Sequence, residues 1–317
     1  MYFKLLSDDC IRYRIKYEED KLIIDHKFDE TTECDNDLFI IDVNQINDWL
    51  LNFGSKIGTV QLEKDSKLIK FNDRYKTDKL RITEIKYLWE HDIFKTLVKN
   101  KSMNLCNFLI KYNRLEELKY AHENECPWDE SSYSIGTKSD NLDILNYLRE
   151  NGCPWNKECC LNAVKNNNLN ILKFLHENEC PWNENCSLTA VENNNLDILK
   201  YLHENGCPWD EECCLTAVEN NNLDILKYLH ENGCPWNGKE YFFVIKRNRL
   251  DILKYLHENG YPWDNSLYLK VAKYNNLNML KYLHENGCPW DNSLYSEIIK
   301  YNNLDISEYI QTHLLKQ

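Results

Sequence analysis

The sequence contains no uninterrupted apolar stretch of the roughly 18 residues that a membrane-spanning helix requires. Its opening, Met1 to Asp9, lacks a basic segment followed by a long apolar one, so no secretory signal is expected. Positive charge is in deficit: 38 Lys and Arg stand against 51 Asp and Glu, a formal net charge of −13. That balance argues against a nucleic-acid or anionic-membrane surface. Glycine and proline are scarce, nine and seven in 317 residues. There is no G-x-S-x-G, no Walker loop and no G-x-G-x-x-G, so neither a nucleophile elbow nor a phosphate cradle is available. The expectation is a non-enzyme without a cofactor, and with 43% hydrophobic and 28% charged residues the composition is that of an ordinary globular chain.

What the sequence does have is repetition. All seven prolines, from Pro127 to Pro289, fall at steps of 27 residues, and each is followed by Trp: Trp128, Trp155, Trp182, Trp209, Trp236, Trp263 and Trp290. Cys precedes six of the prolines and Tyr261 the other. One clean unit runs from Cys207 to Gly233, CPWDEECCLTAVENNNLDILKYLHENG. It reads as helix–turn–helix. Asp210 is a good N-cap, and the same slot holds Asp129, Asn156, Asn183, Asn237, Asp264 and Asp291. The first helix is predicted over Glu211 to Asn220, with Leu215, Ala217 and Val218 inward. Asn220–Asn222 breaks it, because Asn favours turns and caps. Asn222 then caps a second helix with Leu223, Ile225, Leu226 and Leu229 as its apolar stripe. Gly233 ends that helix in the left-handed position, where Glu125 and Glu179 stand in two other units. Helices of about ten residues are marginal alone, so units must stack to bury a continuous core. A ladder of Trp rings between units is expected.

The second half of the unit, NLDILKYLHENG, resembles the second helix of an ankyrin repeat. The unit is shorter than the 33 residues usual for that family and lacks the T-P-L-H turn and the residues of the projecting β-hairpin. CPW-type units of this kind resemble those in ankyrin-repeat proteins of large amoeba-infecting DNA viruses, and the stretch beginning Met1-Tyr2-Phe3-Lys4-Leu5 resembles their leader domain. The resemblance implies a mainly α, ankyrin-type helical solenoid without long fingers, behind a small α+β leader. It also implies that the first helices line a concave face.

The leader is expected over residues 1–80 and the array over 81–317, about eight units. Full units start at 126, 153, 180, 207, 234 and 261, with residues 99–125 an earlier unit without CPW and 288–317 a C-terminal cap, where Ser307, Glu308, Gln311 and Thr312 break the pattern. In the leader, Arg12–Tyr17, Lys21–Asp25, Leu38–Val43 and Thr59–Leu62 read as strands. Asn44–Phe53 reads as a short helix with Ile46, Trp49 and Leu50 on one face, and Gly54 and Gly58 read as turn points. Ile85-Lys86-Tyr87-Leu88 looks like a degenerate ILKYL helix. Ser134 and Gly136, in place of Leu and Ala, mark a weak point or bend.

Fourteen Cys in a long chain without a signal point to reduced, intracellular thiols. His203 with Cys207, Cys213 and Cys214 invites a zinc reading, but the His recurs as part of the frame, the Cys pair occurs only at 159–160 and 213–214, and no tight C-x₂₋₄-C pairing exists. No metal site is expected. Disulfides between equivalent Cys fail on geometry, because stacked units lie about 10 Å apart and bridged Cα atoms less than about 7 Å.

The informative residues are those that vary where the frame is fixed. In the central units they are acidic or neutral: Glu184, Asn185, Glu192, Glu211, Glu212, Thr216 and Glu219. In later units they turn basic and aromatic: Lys239, Phe243, Lys246, Arg247, Arg249, Lys270, Lys273, Tyr274, Lys300 and Tyr301. The second helix stays constant, with Asp224, Lys227 and Glu231 spaced to pair. The expectation is a monomeric, cytoplasmic protein-interaction scaffold that holds one protein partner, a host protein if the viral resemblance holds. Phe243 and Tyr274 are its candidate anchors and the charges orient the partner; no nucleic acid and no membrane is expected as partner. The alternatives are an adaptor whose leader recruits machinery such as a ubiquitin ligase and, from another class, a metal or redox sensor built on the Cys rows.

Overall fold

The computed structural model describes residues 2–7, 11–12, 15–19, 22–24, 38–42, 45–52, 54–70, 74–236 and 238–315. Two compact units divide the chain, Met1–Asn162 and Ala163–Gln317.

Among the described residues the first unit opens with nine strands: β1 (Tyr2–Leu6), β2 (Ile11–Arg12), β3 (Ile15–Lys16), β4 (Leu22–Ile24), β5 (Leu38–Asp42), β6 (Lys56–Gln61), β7 (Leu68–Lys70), β8 (Tyr75–Thr77) and β9 (Lys79–Tyr87). Seven of them form one antiparallel sheet in the order β4-β9-β6-β1-β5-β8-β7, and β2 and β3 pair separately. β1 is central, and Phe3, Leu5 and Leu6 are all buried. Lys4 is buried among them and donates its ammonium to the carbonyl of Phe39 at 2.6 Å. Near-continuous burial leaves no in–out alternation, which is why β1 is not legible as a strand. Between β5 and β6 a turn of α-helix, Ile46–Trp49, continues as 3₁₀-helix to Asn52 and buries Ile46 and Leu50.

Three expectations for this region are corrected. The ILKYL-like segment is the end of β9, not a helix: Ile85, Lys86 and Tyr87 pair with Gly58, Ile57 and Lys56. Ladder partners on β6 decide the conformation. The sheet therefore runs through residue 80, and the first array helix is Ile93–Lys99. Gly58 is not a turn residue. It lies inside β6, where a Cβ would stand 3.0 Å from Ile82 Cγ2.

Beyond Tyr87 the described residues contain no further strand. The first unit continues with Leu105–Lys111 and Leu115–Glu123, then Glu130–Gly136 and Leu142–Glu150. Tyr133 is fully buried, and Gly136 packs so close to the following helix that a Cβ would lie 2.9 Å from Leu145 Cδ2. Gly136 is thus a site of close approach, not the expected weak point.

In the second unit the first and second helices are Glu184–Glu192 with Leu196–Glu204, Glu211–Glu219 with Leu223–Glu231, Glu240–Lys246 with Leu250–Glu258, and Ser266–Lys273 with Leu277–Glu285. The final pair is the short turn Tyr295–Ile298 with Leu304–His313. The unit from 207 shows the local logic. Asp210 accepts from the Glu212 N–H at 3.1 Å and Asn222 from the Ile225 N–H at 3.0 Å. Asn237, expected in the same slot, lies outside the described residues. Both helices end in a Schellman motif. Asn221 takes the left-handed position with φ 58° after the first helix, and Gly233 takes it with φ 77° after the second. The N–H of Asn222 returns to Ala217 O and that of Cys234 to Leu229 O, both at 2.9 Å. Cys213, Cys214, Ala217, Val218, Ile225, Leu226 and Leu229 are fully buried; Leu223 is only half-buried.

The expected pairing of Asp224, Lys227 and Glu231 is not formed. Lys227 instead lies over the Tyr255 ring at 5.9 Å, where the ring quadrupole attracts the ammonium. On Leu304–His313, Glu308, Gln311 and Thr312 are exposed and Ser307 is half-buried, while Leu304 is 83% exposed.

Candidate functional site

The Trp residues belong to the frame. Each ring partner of Trp182, Trp209 and Trp263 is a His or a Tyr, not another Trp, so the expected Trp ladder is a mixed one. His203 stacks on Trp209 with centroids 4.0 Å apart, and Tyr228 meets Trp209 edge-on at 6.2 Å. Units about 10 Å apart hold their indoles beyond stacking reach, and the smaller rings fill the gap. Trp155 meets Tyr133 edge-on at 5.0 Å under the Arg149 guanidinium, and Trp290 meets Tyr268 at 5.0 Å. Trp236 departs from the pattern. Tyr261 displaces His230 from stacking and leaves the Trp236 Nε1–H buried without an acceptor.

The cysteines also belong to the frame. Cys207, Cys234 and Cys288 are buried and donate to the carbonyls of Asn183, Asp210 and Asp264, the N-cap residues one unit back, at 3.2–3.4 Å. Burial pushes the Cys213 and Cys288 thiols up to about 12, which disfavours the thiolate that nucleophilic or redox chemistry needs.

The variable positions sit on the first helices or at their ends, except Arg249, which precedes the second helix Leu250–Glu258. Glu184, Glu211 and Glu212 are exposed in first turns, where the helix dipole favours carboxylates. Glu192 and Glu219 are exposed at the other end, where it does not. The structure does not join these carboxylates to the basic residues in any ion pair. It does bring four of the later positions together around Phe242. The Phe242 ring meets Phe243 edge-on at 5.2 Å and Tyr274 at 6.1 Å. The Lys246 ammonium lies 5.7 Å over Phe242 and the Lys273 ammonium 5.9 Å over Tyr274. Phe243 and Tyr274 are half-buried, Lys246 and Lys273 exposed. Lys270 is half-buried and helps to hold the Asp264 carboxyl below its ordinary value, after the hydrogen bonds from Ser266.

Sequence reasoning missed Phe242. It occupies the slot of Leu188 and Leu215 and reads as ordinary core; only its enlargement beside Phe243 could have signalled a surface role. A second missed feature lies beside it. Asn195 donates to Asn167 Oδ1 at 3.0 Å and Asn222 to Asn194 Oδ1 at 3.1 Å. The next donor slot holds Arg249, and the Asn221 Oδ1 that it should serve is buried without a partner.

The ankyrin-repeat family (three copies) matches residues 160–240. The chain has a mainly α, ankyrin-type helical repeat fold behind a small strand-rich leader. No curated protein matches it. Among solved structures it is similar to the pentatricopeptide repeat protein PPR10 from maize, at 12% identity and a TM-score of 0.33, covering 69% of this chain and 38% of that one. PPR10 in complex with an 18-nt psaJ RNA element gives 12% identity and a TM-score of 0.30, covering 71% and 49%. The chain therefore spans half or less of the length of these structures. No helix among the described residues is long and apolar enough to cross a membrane.

Proposed function

We propose that the chain is a non-enzymatic protein-interaction scaffold that engages one protein partner through its first-helix face. Ankyrin-type repeats and a helical repeat fold are typical of such scaffolds. The observation that carries the reading is the contiguous cluster Lys246–Phe242–Tyr274–Lys273, set on helices whose surface residues vary more than those of the second helices, three of which share LDILKYLHE. Aromatic anchors flanked by charge supply affinity and orientation respectively. The resemblance of the CPW unit to those of large amoeba-infecting viruses makes the partner a host protein, met in the host cytoplasm.

Affinity capture from amoebal lysate tests this with the wild-type chain and a Phe243→Ala, Lys246→Glu, Lys270→Glu, Lys273→Glu variant, both checked for helical circular dichroism. A protein lost only from the variant is the expected result. A partner retained by both moves the site elsewhere, and no partner at all removes the scaffold reading.

A further inference from the structure

The residues at the ends of the first helices are Lys165, Glu192, Glu219, Lys246 and Lys273 in successive units, and Lys300 holds the same slot in the final one, paired with Glu297. The row turns from negative to positive between residues 219 and 246. On the basic side the lysines ride on aromatic faces, and Arg247 and Arg249 lie one and three positions beyond Lys246. None of Lys246, Arg247, Arg249, Lys270 and Lys273 forms an ion pair among the described residues. Lys101 and Lys119, in earlier units, pair with Glu125 and Glu116. Arg249 moreover stands where Asn would complete the ladder, at the cost of the orphaned Asn221 oxygen. Lys270 acts on the Asp264 carboxyl, whereas Lys246, Arg247, Arg249 and Lys273 form no ion pair with a carboxylate among the described residues, in a chain of net charge −13.

From this geometry we infer that the patch binds an extended acidic peptide segment of the partner, with one aromatic or leucine side chain seated on Phe242, Phe243 and Tyr274. This deepens the scaffold reading and rests on it for the surface used. Lys246 and Lys273 lie in adjacent units about 10 Å apart, which an extended chain covers in about three residues. The segment therefore carries carboxylates three or four residues apart, with the apolar residue between them. Glu192 and Glu219 limit what else can bind. A polyanion continuing along the row would meet carboxylates at the next two steps, so they select a short acidic stretch over a nucleic acid strand.

The test is fluorescence anisotropy with the full chain and three labelled probes: a 12-residue peptide with Leu-Trp flanked by Asp and Glu, its counterpart with Lys in their place, and a 12-nucleotide polyuridine. The acidic peptide is expected to bind at least about ten-fold tighter than the basic one, and Lys246→Glu with Lys273→Glu to weaken it by about ten-fold or more. The milder Lys246→Gln, Lys273→Gln pair should act in the same direction, guarding against a folding defect. Glu192→Lys with Glu219→Lys should strengthen the RNA by a larger factor than the acidic peptide. Equal binding of the two peptides, indifference to the lysine variants, or RNA bound by wild type as tightly as the acidic peptide would each overturn the inference. Because affinity capture is read independently, a lysate partner that survives loss of the peptide signal rejects this ligand and keeps the scaffold.

Discussion

His203 Nδ1 lies 3.1 Å from the hydroxyl of Tyr228, one unit further along the chain. The same pair, 25 residues apart, joins His122 to Tyr147, His176 to Tyr201, His230 to Tyr255, His257 to Tyr282 and His284 to Tyr309, all at 2.8–3.1 Å. The one His slot filled by Arg149 is matched, 25 residues on, by a Tyr slot filled by Phe174. A side chain that cannot make the bond is paired in the sequence with one that does not need it. The recurrent histidine is therefore an inter-unit hydrogen-bonding group, and its abundance carries no sign of catalysis or metal binding.

Removing one such hydroxyl should cost a single half-buried hydrogen bond. Tyr228→Phe is expected to destabilise the chain by about 1 kcal/mol, read as a shift in urea midpoint. Tyr228→Ala should cost more, because the ring also packs against Trp209 and carries the Lys200 ammonium at 5.8 Å. Equal losses in the two variants would mean that the ring contributes nothing.

Glu179 occupies the left-handed position after Leu169–Glu177 with φ 67°, where Gly206 and Gly233 stand after later helices with φ 81° and 77°. Glu179→Gly should stabilise by up to about 1 kcal/mol, since only the strained residue is replaced. Gly233→Ala should lose a similar amount. Thermal melts of the two variants should move in opposite directions.

The repeat was legible because its signals are local. Caps at Asp210 and Asn222 and the glycine at 233 each act within one turn, and the apolar stripe is periodic. The leader was less legible because its order depends on partners distant in sequence. Ile85–Tyr87 has helical kin in the array, but β6 decides its state. The site was half legible. Phe243, Lys246, Lys273 and Tyr274 stood out as deviations from a fixed frame. Phe242 did not, because a core slot filled by a larger apolar residue looks unchanged in pattern, and its contact with Tyr274 crosses from one unit to the next.

Gly136 separates propensity from packing. Alanine is the better helix former, so Gly136→Ala would stabilise an unconstrained helix. Here the added Cβ meets Leu145 Cδ2 at 2.9 Å and Leu148 Cδ1 at 3.3 Å. The expected outcome is a net loss of about 1–3 kcal/mol from overpacking, relieved in the double variant with Leu145→Val. A stabilised single variant would show that the two helices can part without cost.

His91 sets a pH limit on the leader. It is buried, its Nδ1 accepts from the Ile93 N–H at 3.1 Å, and its Nε2 lies 2.9 Å from the Thr59 hydroxyl. Accepting at Nδ1 requires the neutral ring with its proton on Nε2. Burial lowers the His91 pKa, outweighing the opposite pull of Glu84, while Lys86 adds to the lowering. With the folded value below the unfolded one, the unfolded chain takes up the proton first as pH falls. The stabilisation is complete above about pH 6.5 and is lost as pH drops from there toward the depressed folded value. Melting temperatures at pH 7.5 and 5.5 should therefore fall further for wild type than for His91→Gln, which has no proton to gain; equal shifts would place the acid sensitivity in the repeat histidines instead.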